Sequence, residues 1–327
     1  MAIGKCIKSD DFIQTLDMKG TRKRVVHGRR GWHGGVRGER PSCYYMKKRI
    51  DKGRREGKMG GESKRNAKMG ILEELTEMRR LDAIRDAAAR PLAMLEREIS
   101  GMPPAVDFRG AFAGRGGIIA EIKRASPSEG NIRVGLDVVE VAREYEAAGA
   151  AAISVLCEPH RFKGSREDLA AAAGVVKVPL LCKDFVAGRY PIAAARVAGA
   201  SAVLLIAAVL GDKELRELRE YAEEVGLEAL VEAHTSEEVR RAVGCGARVV
   251  GVNCRDLRTF STDPGITAGL LGEIPAGCVR IAESGIRGAA DVARLRAAGA
   301  DGFLVGTALM KAADPGAKLK ELIGGLE

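Results

Sequence analysis

Apolar and polar positions alternate in blocks along most of this chain. Short apolar runs of three to five residues recur, each followed by a longer stretch with charged and apolar positions at helical spacing. Four runs, Ala152–Leu156, Ala202–Ile206, Val249–Val252 and Phe303–Val305, each follow a Gly-centred triplet: Ala148-Gly149-Ala150, Ala198-Gly199-Ala200, Cys245-Gly246-Ala247 and Ala298-Gly299-Ala300. Glycine in that place reads as the left-handed residue that ends a helix. The triplets lie 50, 47 and 53 residues apart. A strand with its crossover helix takes about 25 residues, so a further unit belongs inside each interval. The apolar segments 179–182, 229–231 and 278–281 supply it, and 118–122 precedes them all.

Eight short apolar strands, each followed by a helix, predict an α/β protein with a (β/α)8 barrel. A doubly wound sheet is the alternative. It would place a GxGxxG turn after the first strand, where this chain reads Lys123-Arg124-Ala125-Ser126-Pro127. Ahead of the barrel, Ile71, Leu72, Leu75 and Met78 recur at helical spacing. A second helical stretch ends before Gly101 and Pro103-Pro104. The catalytic domain is thus expected over 70–327, with additional N-terminal helices in 70–100.

Charge separates this domain from what precedes it. The chain of 327 residues carries a formal net charge of +9, which suggests a nucleic-acid partner. Residues 1–69 alone hold 20 Lys+Arg and 7 Asp+Glu, a net of +13, and the remainder is at −4. The barrel is therefore not expected to bind nucleic acid. The basic stretch, without a persistent period, is expected to be a disordered extension. A transit peptide fits poorly, with seven acidic residues and few serines. The preferred expectation is that translation begins at Met69 in the cell and that 1–69 is upstream sequence. A genuine extension or an anion-binding arm is the alternative. No apolar run approaches the roughly 20 residues of a membrane span, so no membrane partner is expected. Seven cysteines without a CxxC pair, and four histidines, point to free thiols in the cytoplasm and to no metal site.

In such a barrel the chemistry sits at the C-terminal ends of the strands. Those ends carry Glu121 and Lys123, Lys183, Glu232, Asn253 and Glu283. Charged groups in apolar strands are costly unless paired. Two lysines among three glutamates can hold one another and divide acid and base roles. A nearby lysine or burial is expected to lower the acid lysine's pKa. Ser284-Gly285 and Gly306-Thr307, after the last two strands, suit a phosphate. His234 could contact Glu232, although a structural histidine at a helix start is the favoured reading. Cys182 is expected to pack between barrel and helices.

The segment Ile119-Ala120-Glu121-Ile122-Lys123-Arg124-Ala125-Ser126-Pro127-Ser128 resembles the first-strand signature of the indole-3-glycerol phosphate synthase family. Leu181-Cys182-Lys183-Asp184-Phe185, Leu230-Val231-Glu232-Ala233-His234, Gly251-Val252-Asn253-Cys254-Arg255 and Ala282-Glu283-Ser284-Gly285-Ile286 continue the likeness in family order, over roughly 70–325. The resemblance implies a carbon–carbon lyase of tryptophan biosynthesis that uses no cofactor and takes a phosphorylated small molecule. It implies Lys183 as general acid, Glu232 as general base and Lys123 as holder of the substrate carboxylate. Glu121, Asn253 and Glu283 would orient these groups, and Phe162 would stack on the substrate ring. Ser126, Arg255, Ser284, Gly285, Gly306 and Thr307 would bind substrate and phosphate. A monomer or weak dimer is expected. Glu129 stands where the family often has lysine, which removes one cation from the mouth. A phosphosugar isomerase, or an aldolase with a Schiff base at Lys183, is the competing reading.

Overall fold

All eight apolar runs fold as strands, and they pair in chain order until the last meets the first. The computed structural model describes residues 15–16, 22–23, 70–114, 116–253 and 264–327. The strands are β1 (Gly117–Ile122), β2 (Ala152–Leu156), β3 (Leu180–Lys183), β4 (Ala202–Ile206), β5 (Glu228–Ala233), β6 (Val249–Asn253), β7 (Val279–Glu283) and β8 (Gly302–Val305). Every neighbouring pair is parallel, and β8 pairs with β1. That closure decides for the (β/α)8 barrel, because a doubly wound sheet leaves two open edges.

The crossover helices lie outside: α3 (Val138–Ala148), α4 (Arg166–Ala173), α5 (Arg189–Val197), α6 (Asp212–Glu224), α7 (Ser236–Gly244), α8 (Pro264–Glu273), α9 (Ala289–Ala297), α10 (Thr307–Lys311) and α11 (Pro315–Gly324). Before the barrel come α1 (Ile71–Ala89) and α2 (Leu92–Ile99). The four repeated glycines take φ of 97°, 91°, 87° and 98°, the left-handed region expected of them. The following alanine N–H then reaches back five residues at 3.0 to 3.2 Å, as in Ala150 to the Tyr145 carbonyl.

Strand alternation sorts the core into two layers. Ile118, Ala120, Ile122, Val203, Leu205 and Cys182 point outward against the helices, and Cys182 is buried there as expected. Ile119, Leu181, Leu230 and Ile281 point into the barrel and pack on one another. The registers set what lies above them. Glu121 stands opposite Leu181 by way of Ser154, Glu232 opposite Ile281 by way of Gly251, and Glu283 opposite Ile119 by way of Leu304. In a tilted eight-stranded barrel the stagger is about one residue per strand, so the residue at equal height is two positions on. Glu121, Lys183, Glu232 and Glu283 therefore form a single layer, one from each odd strand, directly above the four aliphatic side chains.

The chain divides into two units, 1–65 and 66–327. In the first, Thr15–Leu16 pairs antiparallel with Arg22–Lys23. The other residues of 1–69, and hence the expectation of disorder there, lie outside the described residues. Within the second unit, α1 crosses the barrel mouth. Leu75 is 1% exposed, and Ile71, Leu72 and Met78 pack with the barrel interior. The other tie is ionic. Arg79 donates to both oxygens of Asp184 at 2.9 and 2.6 Å and to Asp82 at 2.6 Å, with both carboxylates buried. His160 Nε2 lies 2.7 Å from the same Asp82. Removing one partner of a buried pair leaves the other charge uncompensated. Arg79→Met should therefore lower the unfolding free energy by about 3 kcal/mol in urea titration. A change under about 0.5 kcal/mol would mean that α1 is held by its apolar face alone.

Candidate active site

Above the aliphatic layer the barrel interior turns ionic. Lys183 Nζ is 2.8 Å from Glu283 Oε2, 3.7 Å from Glu121 Oε2 and 3.8 Å from Glu232 Oε2. Lys123, two residues beyond Glu121 on the same side, places Nζ 2.7 Å from Glu121 Oε1. The three glutamates are at most 4% exposed. Their neighbours leave room by having no side chain. A Cβ on Gly251 would fall 2.2 Å from Glu283 Oε1, and one on Gly306 would fall 2.0 Å from Glu121 Oε1 and 2.9 Å from Lys123 Nζ.

The electrostatics correct one expectation. Burial does act to lower the Lys183 pKa, but the carboxylates of Glu283, Glu121 and Glu232 outweigh it. They drive the pKa above the ordinary lysine range. Lys183 is thus a fully charged ammonium rather than a lysine tuned toward neutrality. Burial raises Glu283 to about 7, with the Lys183 ammonium opposing and the Glu232 carboxylate adding to it. Burial also acts to raise Glu232, but His234 and Lys183 pull it down to about 2. Two of the three carboxylates facing this ammonium are thereby pushed in opposite directions, Glu232 down and Glu283 up.

Of the residues expected at the site, twelve line one cavity of about 650 Å³: Glu121, Lys123, Ser126, Phe162, Lys183, Glu232, Asn253, Glu283, Ser284, Gly285, Gly306 and Thr307. Arg255 lies outside the described residues. Ser284 and Gly285 both take left-handed φ, 65° and 74°, at the turn after β7. The Ser284 hydroxyl donates to Asn253 Oδ1 at 2.7 Å. Gly306 opens α10, with Thr307 as its first residue. Phe162 sits on a loop that the buried Glu158 carboxylate ties down by accepting three successive backbone N–H groups at 2.6 to 2.9 Å. Its ring centre is 6.2 Å from that of Phe185.

Other cavity residues were not foreseen. Ile71, Leu72 and Leu75 of α1 form an apolar wall. Their helical spacing was visible, but not what they would face. Lys311 and Lys318 also line the mouth. Lys311 is 2.6 Å from Glu129, so the departure at position 129 supplies a partner for a cation rather than simply removing one. His234 makes the contact with Glu232 that the sequence allowed, at 3.2 Å, and its backbone and ring also bond Glu238 at the start of α7, in keeping with a place at a helix start.

Fold and site together define a barrel enzyme that works by acid–base chemistry on a small ligand. The chain belongs to the indole-3-glycerol phosphate synthase family, whose sequence pattern matches residues 72–322. It is 45% identical over 256 residues to indole-3-glycerol phosphate synthase of Leifsonia xyli, covering 78% of this chain and 98% of that protein. It is also 45% identical over 264 residues to the enzyme of the same name from Carboxydothermus hydrogenoformans, covering 77% and 99%. Among solved structures, thiamine phosphate pyrophosphorylase from Pyrococcus furiosus matches with a TM-score of 0.51 at 17% identity, covering 65% of this chain and 96% of that one. That likeness concerns the fold alone.

The space at Gly306 gives a direct check. Gly306→Ala should separate Glu121 from Lys123 and lower kcat/KM by about tenfold or more, with the fold retained by circular dichroism. Unchanged kinetics would show that the pair tolerates the added methyl.

Proposed function

We propose that this chain converts 1-(2-carboxyphenylamino)-1-deoxyribulose 5-phosphate to indole-3-glycerol phosphate, with loss of carbon dioxide and water, at the layer of charges in the barrel mouth. The observation that carries the reading is the ammonium of Lys183 set among Glu121, Glu232 and Glu283.

The reaction begins with attack of a ring carbon on a ketone. It is slow unless the ketone oxygen gains a proton as the bond forms. Lys183 supplies that proton, and the carboxylates around it keep it loaded at neutral pH. Lys123 holds the substrate carboxylate and assists the acid. Ring closure leaves the nitrogen as an iminium, which accepts the electron pair when the bond to the carboxylate breaks. Decarboxylation thereby restores the aromatic ring. In the last step the hydroxyl leaves as water with a proton from the lysine pair, while Glu232 takes the proton from the amine side. Glu121, Asn253 and Glu283 orient these groups, and Phe162 stacks on the substrate ring. Ser126, Arg255, Ser284, Gly285, Gly306 and Thr307 hold the phosphorylated end. That remote grip contributes binding energy that positions the reacting end.

The competing reading, a Schiff base at Lys183, needs an uncharged amine, and the carboxylates oppose one. Borohydride in the presence of substrate should leave the mass of the protein unchanged. A covalent adduct at Lys183 would establish the aldolase type of chemistry instead.

The site and the family match both lie in the unit 66–327. We take 70–327 as the catalytic domain, acting in the cytoplasm as a monomer or weak dimer. Among the described residues no helix is long and apolar enough to cross a membrane. Removing residues 1–68 should leave kcat and KM within about twofold of the whole chain. A larger loss would assign the basic stretch a part in turnover.

Formation of indole-glycerol phosphate, followed by its fluorescence, tests the assignment of roles. Lys183→Ala and Glu232→Gln should each lower kcat by about 10²–10⁴-fold. A variant that kept most of its activity would lose the role given to it here.

A further inference from the structure

The two oxygens of Glu232 face different partners. Oε2 points toward Lys183, 3.8 Å away, and Oε1 lies 3.2 Å from His234 Nε2. His234 follows Glu232 by two residues, so its side chain returns to the inner face of the barrel just where β5 ends. Its other ring nitrogen, Nδ1, is 3.1 Å from Glu238 Oε2, and the same oxygen accepts the His234 backbone N–H at 2.8 Å.

Glu238 is itself fixed by the start of α7. Thr235 is the N-cap, and its hydroxyl accepts the Glu238 N–H at 3.2 Å. This is half of a capping box. In the usual form the carboxylate three residues on bonds back to the N–H of the cap residue. Here it reaches one residue further, to the backbone and the ring of His234. A helix cap has thus been extended into a support for an imidazole.

Both ring nitrogens face carboxylates, which makes both of them donors and the ring an imidazolium. Burial opposes that charge, but hydrogen bonds to Glu232 and Glu238 push the pKa up to about 10. On the other side, burial acts to raise the Glu232 pKa, and the His234 bond is the foremost influence lowering it, ahead of Lys183. The charged groups that face this pair are Glu238 on α7, Lys183 on β3 and Glu283 on β7.

Resting on the reading of Glu232 as the general base, we propose that His234 is its positioning residue. It is a charged strut from the α7 cap that occupies Oε1, leaves Oε2 for the substrate and keeps the carboxylate ionised.

The test uses the whole chain with His234→Asn and, as a variant that spares the ring, Glu238→Gln. Thermal unfolding checks that each is folded. Removing His234 should lower kcat about 10–100-fold while KM stays within about twofold, because the base contributes to the transition state rather than to ground-state binding. Glu238→Gln should act in the same direction and by less. A second readout is independent of turnover. With ¹³C-carboxyl glutamate, the Glu232 resonance (assigned through Glu232→Gln) should stay ionised in the wild type to the acid limit of folding. In His234→Asn its midpoint should rise by about one pH unit or more, since the imidazolium no longer favours the anion. A loss of kcat with an unmoved midpoint would leave His234 a merely structural part and overturn the proposal. So would a kcat within twofold of wild type. A fully active Glu232→Gln would overturn the choice of base and the strut with it, and the carboxyl titration would show which of the two had failed.

Discussion

A single ammonium ion, that of Lys183, is held inside the barrel by three carboxylates, and much of the structure answers to that arrangement. A buried charge costs several kcal/mol unless it is closely paired. Pairing it with three glutamates requires four inward positions at one height, on strands that are not neighbours. A closed eight-stranded barrel provides this, because its stagger brings every second strand's inward residue into one layer. The glycines on or just after the intervening strands follow from the same need. Gly251 leaves space for Glu283, and Gly306 for Glu121 and Lys123.

The ionic layer is tied to the rest of the fold at two places. Asp184, next in the chain after Lys183, is the residue that Arg79 of α1 grips with two hydrogen bonds. The helix that walls the cavity and the strand end that carries Lys183 are thereby fixed to each other. At the opposite side, the cap of α7 reaches Glu232 through His234 and Glu238. Lys183 and Glu232, the proposed acid and base, are each braced by a helix, one preceding the barrel and one following β5.

The strands and helix ends were legible because their signals are local. Apolar runs preceded by a Gly-Ala helix end need no distant partner to be recognised, and the glycines took the backbone conformation their position requires. The charged strand ends were legible too, since Glu and Lys in an apolar run stand out, and the likeness to a known family put them in order. What escaped depends on distance in space. Whether Lys183 is tuned down or up turns on three carboxylates 49 to 100 residues away in the chain. Counting lysines in sequence could not decide it. The apolar spacing of Ile71, Leu72 and Leu75 announced a helix, but nothing local said that this helix would cross the mouth. Glu129 looked like a lost cation until the fold brought Lys311 beside it. His234 was legible as a possible contact of Glu232, but its second partner, Glu238, emerged only with the fold.

The central claim is that Lys183 enters the reaction as a charged proton donor rather than as a lysine tuned toward neutrality. Titration of the lysine side chains by ¹³C NMR, with the Lys183 ε-carbon assigned through Lys183→Arg, measures this in the free enzyme. The account predicts that this signal remains that of an ammonium past the ordinary lysine value of 10.5. A midpoint near neutral pH would contradict it, because the three carboxylates would then not be holding the proton in place.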